Sequence, residues 1–237
     1  MILQLVRARR RHLLVDINTQ KDFLLAEGKA CVRNHRRILA HIRRVMAWAR
    51  ARNVPVISIA DVCPGPAEDN DLSASCVDGT EGQKKIRYTL LDNRVVFPAD
   101  GNTDLPRDML RRYQQVVLHK RCLDPFDEPR IDRLLSEVQA NNFILVGVSV
   151  EGAVKAAALG LLQRGKRVTV VMDAVGSHNK KEARLALRKM EAKGARLIET
   201  RRLAGSSHLK VIGVCDCPRC HGLKRKTPFA AKTTLTP

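Results

Sequence analysis

Six short, almost unbroken apolar runs recur along the chain, and most are separated by segments with helical periodicity. The runs are His12–Ile17, Val54–Ala60, Gln115–His119, Asn142–Ser149, Arg167–Asp173 and Ala195–Glu199. A strand apolar on both sides must be covered on both faces, and parallel strands need long crossovers that helices supply. Between Arg33 and Arg52, Ile38, Ile42, Val45, Met46 and Ala49 recur at helical spacing. Glu128–Ala140 reads as a helix entered through Asp127 and Pro129, Glu151–Arg164 as one closed by Gly165, and Asn179–Lys193 as one stopped by Gly194. The pattern predicts an α/β fold of three layers, with a central, mostly parallel sheet of about six strands.

Residues 61–106, rich in Gly, Pro, Asp and Asn, read as a long irregular stretch. After about residue 204 the periodicity is lost. The expected organisation is a domain over 1–204 followed by a basic, Cys-rich tail over 205–237. No internal repeat is visible.

The chain has 237 residues, enough for a sizeable core. Its longest apolar run, Phe143–Val150, is too short to span a bilayer, so no membrane partner is expected. The first residues, MILQLVRARRRH, place apolar residues before charges, the reverse of a secretory signal, and the expected compartment is the cytoplasm. Seven scattered cysteines fit reduced thiols better than a disulfide framework. The net charge of +19 suggests a polyanionic neighbour or a highly soluble surface. Residues 201–237 contribute eight basic residues and one acid, so the rest of the chain still carries an excess of twelve.

Ligands in open parallel sheets bind beyond the carboxyl ends of the strands. Asp16, Asp61, Lys120 and the Ser149–Ala153 turn all fall at such ends. Four separate segments delivering polar groups to one edge mark a candidate site for a small molecule. A structural origin for Asp16 and Lys120 would be a buried ion pair between them.

Five ordered motifs carry a resemblance to a known family. They are Leu13-Leu-Val-Asp-Ile-Asn-Thr-Gln-Lys-Asp-Phe23, Cys76-Val-Asp-Gly-Thr-Glu-Gly-Gln-Lys-Lys-Ile86 and Val117-Leu-His-Lys-Arg-Cys-Leu-Asp-Pro-Phe126. Ile144-Leu-Val-Gly-Val-Ser-Val-Glu-Gly-Ala-Val-Lys-Ala-Ala157 and Gly165-Lys-Arg-Val-Thr-Val-Val-Met-Asp-Ala174 complete the set. Over about residues 12–200 the chain resembles the isochorismatase-like cysteine hydrolases, which include the nicotinamidases. The resemblance implies that Asp16 handles the proton of a nucleophilic thiol and that Lys120 stabilises charge. It also implies backbone oxyanion donors around Ser149 and Ala153, and a homo-oligomer. The nucleophile position aligns with Ala153, which has no thiol. The family's metal pattern, Asp-x-His, becomes Asp61-Val-Cys63, and no histidine lies between His41 and His119. No cofactor is therefore required on this reading. Thiol hydrolysis of amides is disabled, leaving a silent protein or acid catalysis by an aspartic acid on a carboxylate-bearing or enol-ether substrate.

Two features lie beside this frame. Arg33, Arg36, Arg37, Arg43, Arg44 and Arg50 gather on the second predicted element without an acidic residue between Gly28 and Ala60. A nucleic-acid partner held through this basic face is the alternative function. Cys215, Cys217, Cys220 and His221 place four soft ligands within seven residues, a candidate zinc site in the tail.

Overall fold

The computed structural model describes residues 11–65 and 74–205. The tail thiols Cys215, Cys217 and Cys220, with His221, and the expected tail from residue 205 onward lie outside the described residues, apart from Gly205 itself.

The chain opens with β1 (Leu13–Ile17), a short helix α1 (Lys21–Leu24) and the long helix α2 (His35–Ala51). Then follow β2 (Val56–Asp61), β3 (Arg94–Phe97), α3 (Met109–Arg112), β4 (Gln115–Lys120) and α4 (Pro129–Glu137). The second half alternates regularly through β5 (Phe143–Gly147), α5 (Ala153–Gln163), β6 (Val168–Val175), α6 (Lys180–Ala192), β7 (Arg196–Ile198) and α7 (Thr200–Ala204). All sheet pairings are parallel, in the order β3-β4-β2-β1-β5-β6-β7.

Among the described residues the sheet therefore has seven strands rather than about six. The extra strand, β3, lies in the stretch expected to be irregular. It is an edge strand of four residues with alternating exposure, paired only with β4, so it never shows the unbroken apolar run of the inner strands. Inner strands such as β1 and β5 are buried at every residue.

Strand alternation separates two cores. Leu13, Val15 and Ile17 of β1 pack with Ile131 and Leu134 of α4 and with Val154, Ala157 and Leu161 of α5. Leu14 of the same strand packs on the other face with Ile38, Ile42, Val45 and Met46 of α2. The apolar stripe read from the sequence of α2 is thus the stripe that buries.

The basic face of α2 is less open than its sequence suggests. Arg33, Arg36 and Arg37 are exposed, but Arg43, Arg44 and Arg50 are only half-exposed. Arg43 lies over the Tyr88 ring at 5.7 Å, and Arg44 donates to the Gly205 carbonyl at 2.7 Å. The chain after β7 folds back onto this helix, a contact that helical spacing alone does not reveal.

The crossover point matters for function. From β1 the chain moves outward to β2 and then to the edge strand β3, steps back to β4 between them, and returns to β5 on β1's other side. Such a reversal leaves a crevice at the carboxyl ends of the central strands. Gly147, the last residue of β5, permits the close packing there. It adopts φ of +118°, and a Cβ would lie 1.8 Å from the Ile17 carbonyl oxygen. Val148 N–H instead donates to that oxygen at 2.9 Å, locking the strand end against β1.

Candidate functional site at the carboxyl edge of the sheet

Asp16 is one residue from the end of β1, with 0% exposure. Its period-two position places it with Leu14 on the α2 face. Oδ2 accepts from Ser58 Oγ at 2.8 Å and from Lys85 Nζ at 2.7 Å. Lys85 also donates to Thr19 Oγ1 at 2.6 Å. Gln115 extends the network by donating to Ser58 Oγ at 2.8 Å and to the Thr89 carbonyl at 2.8 Å. The other carboxylate oxygen, Asp16 Oδ1, is buried without a hydrogen-bond partner.

Lys120 belongs to a different group. It is 1% exposed and is the bulkiest of the fully buried side chains. Its Nζ contacts Asp61 Oδ1 and donates to the Cys122 carbonyl at 2.8 Å. Asp61 and Lys120 are register partners at the ends of β2 and β4. They stand at the strand ends, two residues beyond the buried Ile59 and Leu118, and both act electrostatically on the buried Cys76. Asn18 donates to Asp61 Oδ2 at 2.6 Å, while Gln20 bridges the Asp61 backbone through both its amide atoms.

The expected ion pair between Asp16 and Lys120 is therefore not formed. Each has another partner, Lys85 for Asp16 and Asp61 for Lys120. Lys85 was missed by sequence reasoning: it lies in an irregular segment, and only the antiparallel bridge of Lys85 with Gln20 brings it to β1. Asp61 had a readable signal, since it closes one apolar strand as Lys120 closes another.

Burial pushes the Asp61 carboxyl above the usual carboxylate range, against the opposing pull of Lys120 and Asn18. Its side chain is 29% exposed, so it is the member of these pairs that solvent reaches.

Ala153 opens α5 at 1% exposure, within the core on that helix's face of the sheet. The Ser149 carbonyl accepts from Gly152 and Val154 N–H, both at 3.1 Å, which folds the strand end directly into the helix. A Cβ on Gly152 would lie 2.7 Å from Ser149 Oγ, so glycine keeps this turn tight. Among the described cysteines, Cys76 is fully buried, with its thiol pushed up by burial and then by Asp61 and Asp22. Such a thiol is held away from the nucleophilic thiolate. Cys122 is exposed.

Asp61 and Cys63 do not fit a metal centre. The Asp61 carboxylate is committed to Lys120 and Asn18, and among the described residues no three His, Cys, Asp or Glu side chains converge.

The parallel sheet, its reversal between β1 and β5, and the polar groups at the carboxyl edge define a doubly wound α/β protein with its candidate site at that edge. Residues 12–202 match the Isochorismatase domain, and the chain belongs to that family. No curated protein matches it. Among solved structures it is similar to pyrazinamidase of Pyrococcus horikoshii in complex with zinc, at 18% identity over 80% of this chain and 99% of that one, with a TM-score of 0.62. It is also similar to the nicotinamidase/pyrazinamidase of Bacillus subtilis, at 16% identity over 80% and 100% with a TM-score of 0.64. An isochorismatase-like hydrolase from Alkaliphilus metalliredigens aligns at 17% identity over 81% and 96%, with a TM-score of 0.63. These likenesses concern the fold. Among the described residues no helix is long and apolar enough to cross a membrane.

Proposed function

We propose that this chain keeps the isochorismatase frame without the thiol step, and that Asp16 and Lys120 serve as halves of two separate structural ion pairs. The observation that carries this reading is Asp16 itself, fully buried and held by Lys85 and Ser58. Covalent amide hydrolysis needs a thiolate beside a base that can take its proton. Ala153 supplies no thiol, and its methyl group is buried in the core. The protein is then silent as an amidase, and the carboxyl edge is a binding site for a small carboxylate-bearing molecule.

One observation favours a second reading. Asp61 combines a raised pKa with solvent access beside Lys120. A carboxylic acid that keeps its proton to higher pH suits general acid catalysis, which contributes roughly 10²- to 10⁴-fold. On an enol ether, Asp61 would donate a proton to the vinylic carbon. Water would add to the resulting oxocarbenium ion and return a proton to Asp61. The hemiketal would collapse to a carbonyl as its C–O bond breaks and the alcohol leaves. No covalent enzyme intermediate is needed.

The test compares wild type with Ala153→Cys, Asp16→Asn and Asp61→Asn on a panel of small amides and vinyl ethers, read by mass spectrometry. Absence of turnover in wild type and in Ala153→Cys supports the silent frame. Amide turnover gained by Ala153→Cys overturns it, because the acid would then be in reach of the thiol. Vinyl-ether turnover that survives Asp16→Asn and disappears with Asp61→Asn establishes the second reading.

A further inference from the structure

The edge of the sheet opposite the candidate site carries its own concavity. A cleft of about 600 Å³ runs past Arg11, Trp48, Arg52, Asn142, Arg196 and Arg202. A second, of about 420 Å³, adds Lys166 and Arg167. The two share Arg11, His12, Asn142, Thr169 and Arg196, so they form one continuous trough. Its floor is the amino edge of the strands: His12 precedes β1, Asn142 precedes β5, and Arg196 opens β7.

Among the described residues, no carboxylate lines either cleft. Lys166 is spent on the Ser136 and Val138 carbonyls at 2.7 and 3.0 Å. Arg11, Arg52, Arg167, Arg196 and Arg202 are all exposed, and none of them has an ion-pair partner among the described residues. Arg52 ends the basic helix α2, but the others lie outside it, and the five meet only in the folded protein. The carboxyl ends of α2, α5 and α6 open onto this edge, represented in the trough by Arg52, Leu162 and Gly194. Their dipoles offset part of the repulsion among the cations, so the cluster stands without an acid.

We propose that this trough binds single-stranded nucleic acid, with the phosphate backbone laid along the arginines. The cations are strung on both sides of Arg11 and Arg196 rather than focused on one point, which suits an extended polyanion over a single phosphate. A recessed groove admits one strand, whereas a duplex presents its phosphates on a convex surface. A positively charged groove that tracks a backbone is how sequence-tolerant single-strand binders work. Trp48, the single tryptophan of the chain, sits in the wall with His12 at a ring separation of 6.0 Å. It is 8% exposed, so affinity rests on phosphate contacts rather than base stacking.

The experiment uses the full chain and a fluorescein-labelled twelve-nucleotide oligo(U), with anisotropy read over a salt series. Each phosphate contact to a single strand contributes about 0.7 to the slope of log K against log salt. Wild type is expected to show a slope of about −2 to −3.5, from three to five such contacts. Arg196→Glu/Arg202→Glu should weaken binding at least tenfold and flatten the slope by about 1.4 or more, the share of two contacts. Arg36→Glu/Arg37→Glu changes the net charge equally on exposed positions of α2 and should leave the slope within about 0.5 of wild type. Arg196→Gln/Arg202→Gln, with matched thermal melting, should reproduce the loss without charge reversal. Equal weakening by the two glutamate pairs, absence of binding in low salt, or preference for a duplex of the same length would each overturn the proposal.

Discussion

Lys85 and Asp16, 69 positions apart in sequence, place their ammonium and carboxylate 2.7 Å from one another in the interior. This pair ties the irregular segment before β3 to the central strand of the sheet. It also occupies the carboxylate that family resemblance would assign to proton transfer. The side chains are 5% and 0% exposed, so water does little to screen the interaction.

Removing one partner should therefore be costly. Lys85→Met leaves a buried carboxylate uncompensated and is expected to destabilise the fold by about 3–5 kcal/mol. Asp16→Leu/Lys85→Met removes both charges and should recover much of that loss, leaving about 1–3 kcal/mol from the unpartnered Ser58, Gln115 and Thr19 groups. Urea unfolding of the single and double variants measures both. A single variant as stable as the double would show that the pair contributes nothing.

Asp61 should titrate above its ordinary value of 3.8, because burial disfavours its charged form more than Lys120 and Asn18 favour it. Lys120→Met removes the larger opposing influence and is expected to raise the Asp61 midpoint further. A folded-state value above the unfolded one means that Asp61 favours folding most below pH 3.8, and this contribution is lost as pH rises through the raised value. Carbon-detected NMR of the side-chain carboxyl in both proteins gives the two midpoints.

His119 behaves in the opposite sense. Burial holds its pKa below 6.5, Lys85 lowers it further, and Asp78 offsets part of the shift. A depressed folded-state value contributes stability that is present above pH 6.5 and lost as pH falls through the folded value. His119→Gln should flatten the fall in unfolding free energy between about pH 7 and 5. Some slope should persist, because burial also depresses His12 and His41. Urea midpoints across that range would settle the contribution, and a slope identical to wild type would exclude His119 as its source.

Gly147→Ala tests the junction between β5 and β1. The new methyl would stand 1.8 Å from the Ile17 carbonyl oxygen at a φ of +118°, so both backbone and contact must shift. A loss of at least about 4 kcal/mol is expected, in the range reserved for severe backbone conflicts. Thermal melting checks it, with Gly101→Ala as the comparison. Gly101 also has a positive φ, but a Cβ there would meet nothing within 4 Å.

Much of the fold was legible because inner parallel strands announce themselves. β1, β2, β4, β5 and β6 are short apolar runs because helices cover both of their faces, and α2 and α6 carry one-sided periodicity for the same reason. β3 was hidden because an edge strand of four residues alternates like a loop. At the candidate site the sequence named the residues but not their partners. Asp16, Lys120 and Ala153 all stand near the carboxyl edge, yet Asp16 pairs with Lys85 and Lys120 with Asp61.

Local pattern thus determined the layers, the order of helices and strands, and the presence of polar groups at strand ends, since burial periodicity is written in neighbouring residues. Only the tertiary structure decided which charge meets which, because that depends on strand register, on the face each side chain takes and on a loop returning from 69 positions away. The same holds for the arginine trough. Arg11, Arg52, Arg167, Arg196 and Arg202 look like scattered surface charges until the parallel sheet lines up the starts of its strands on one edge.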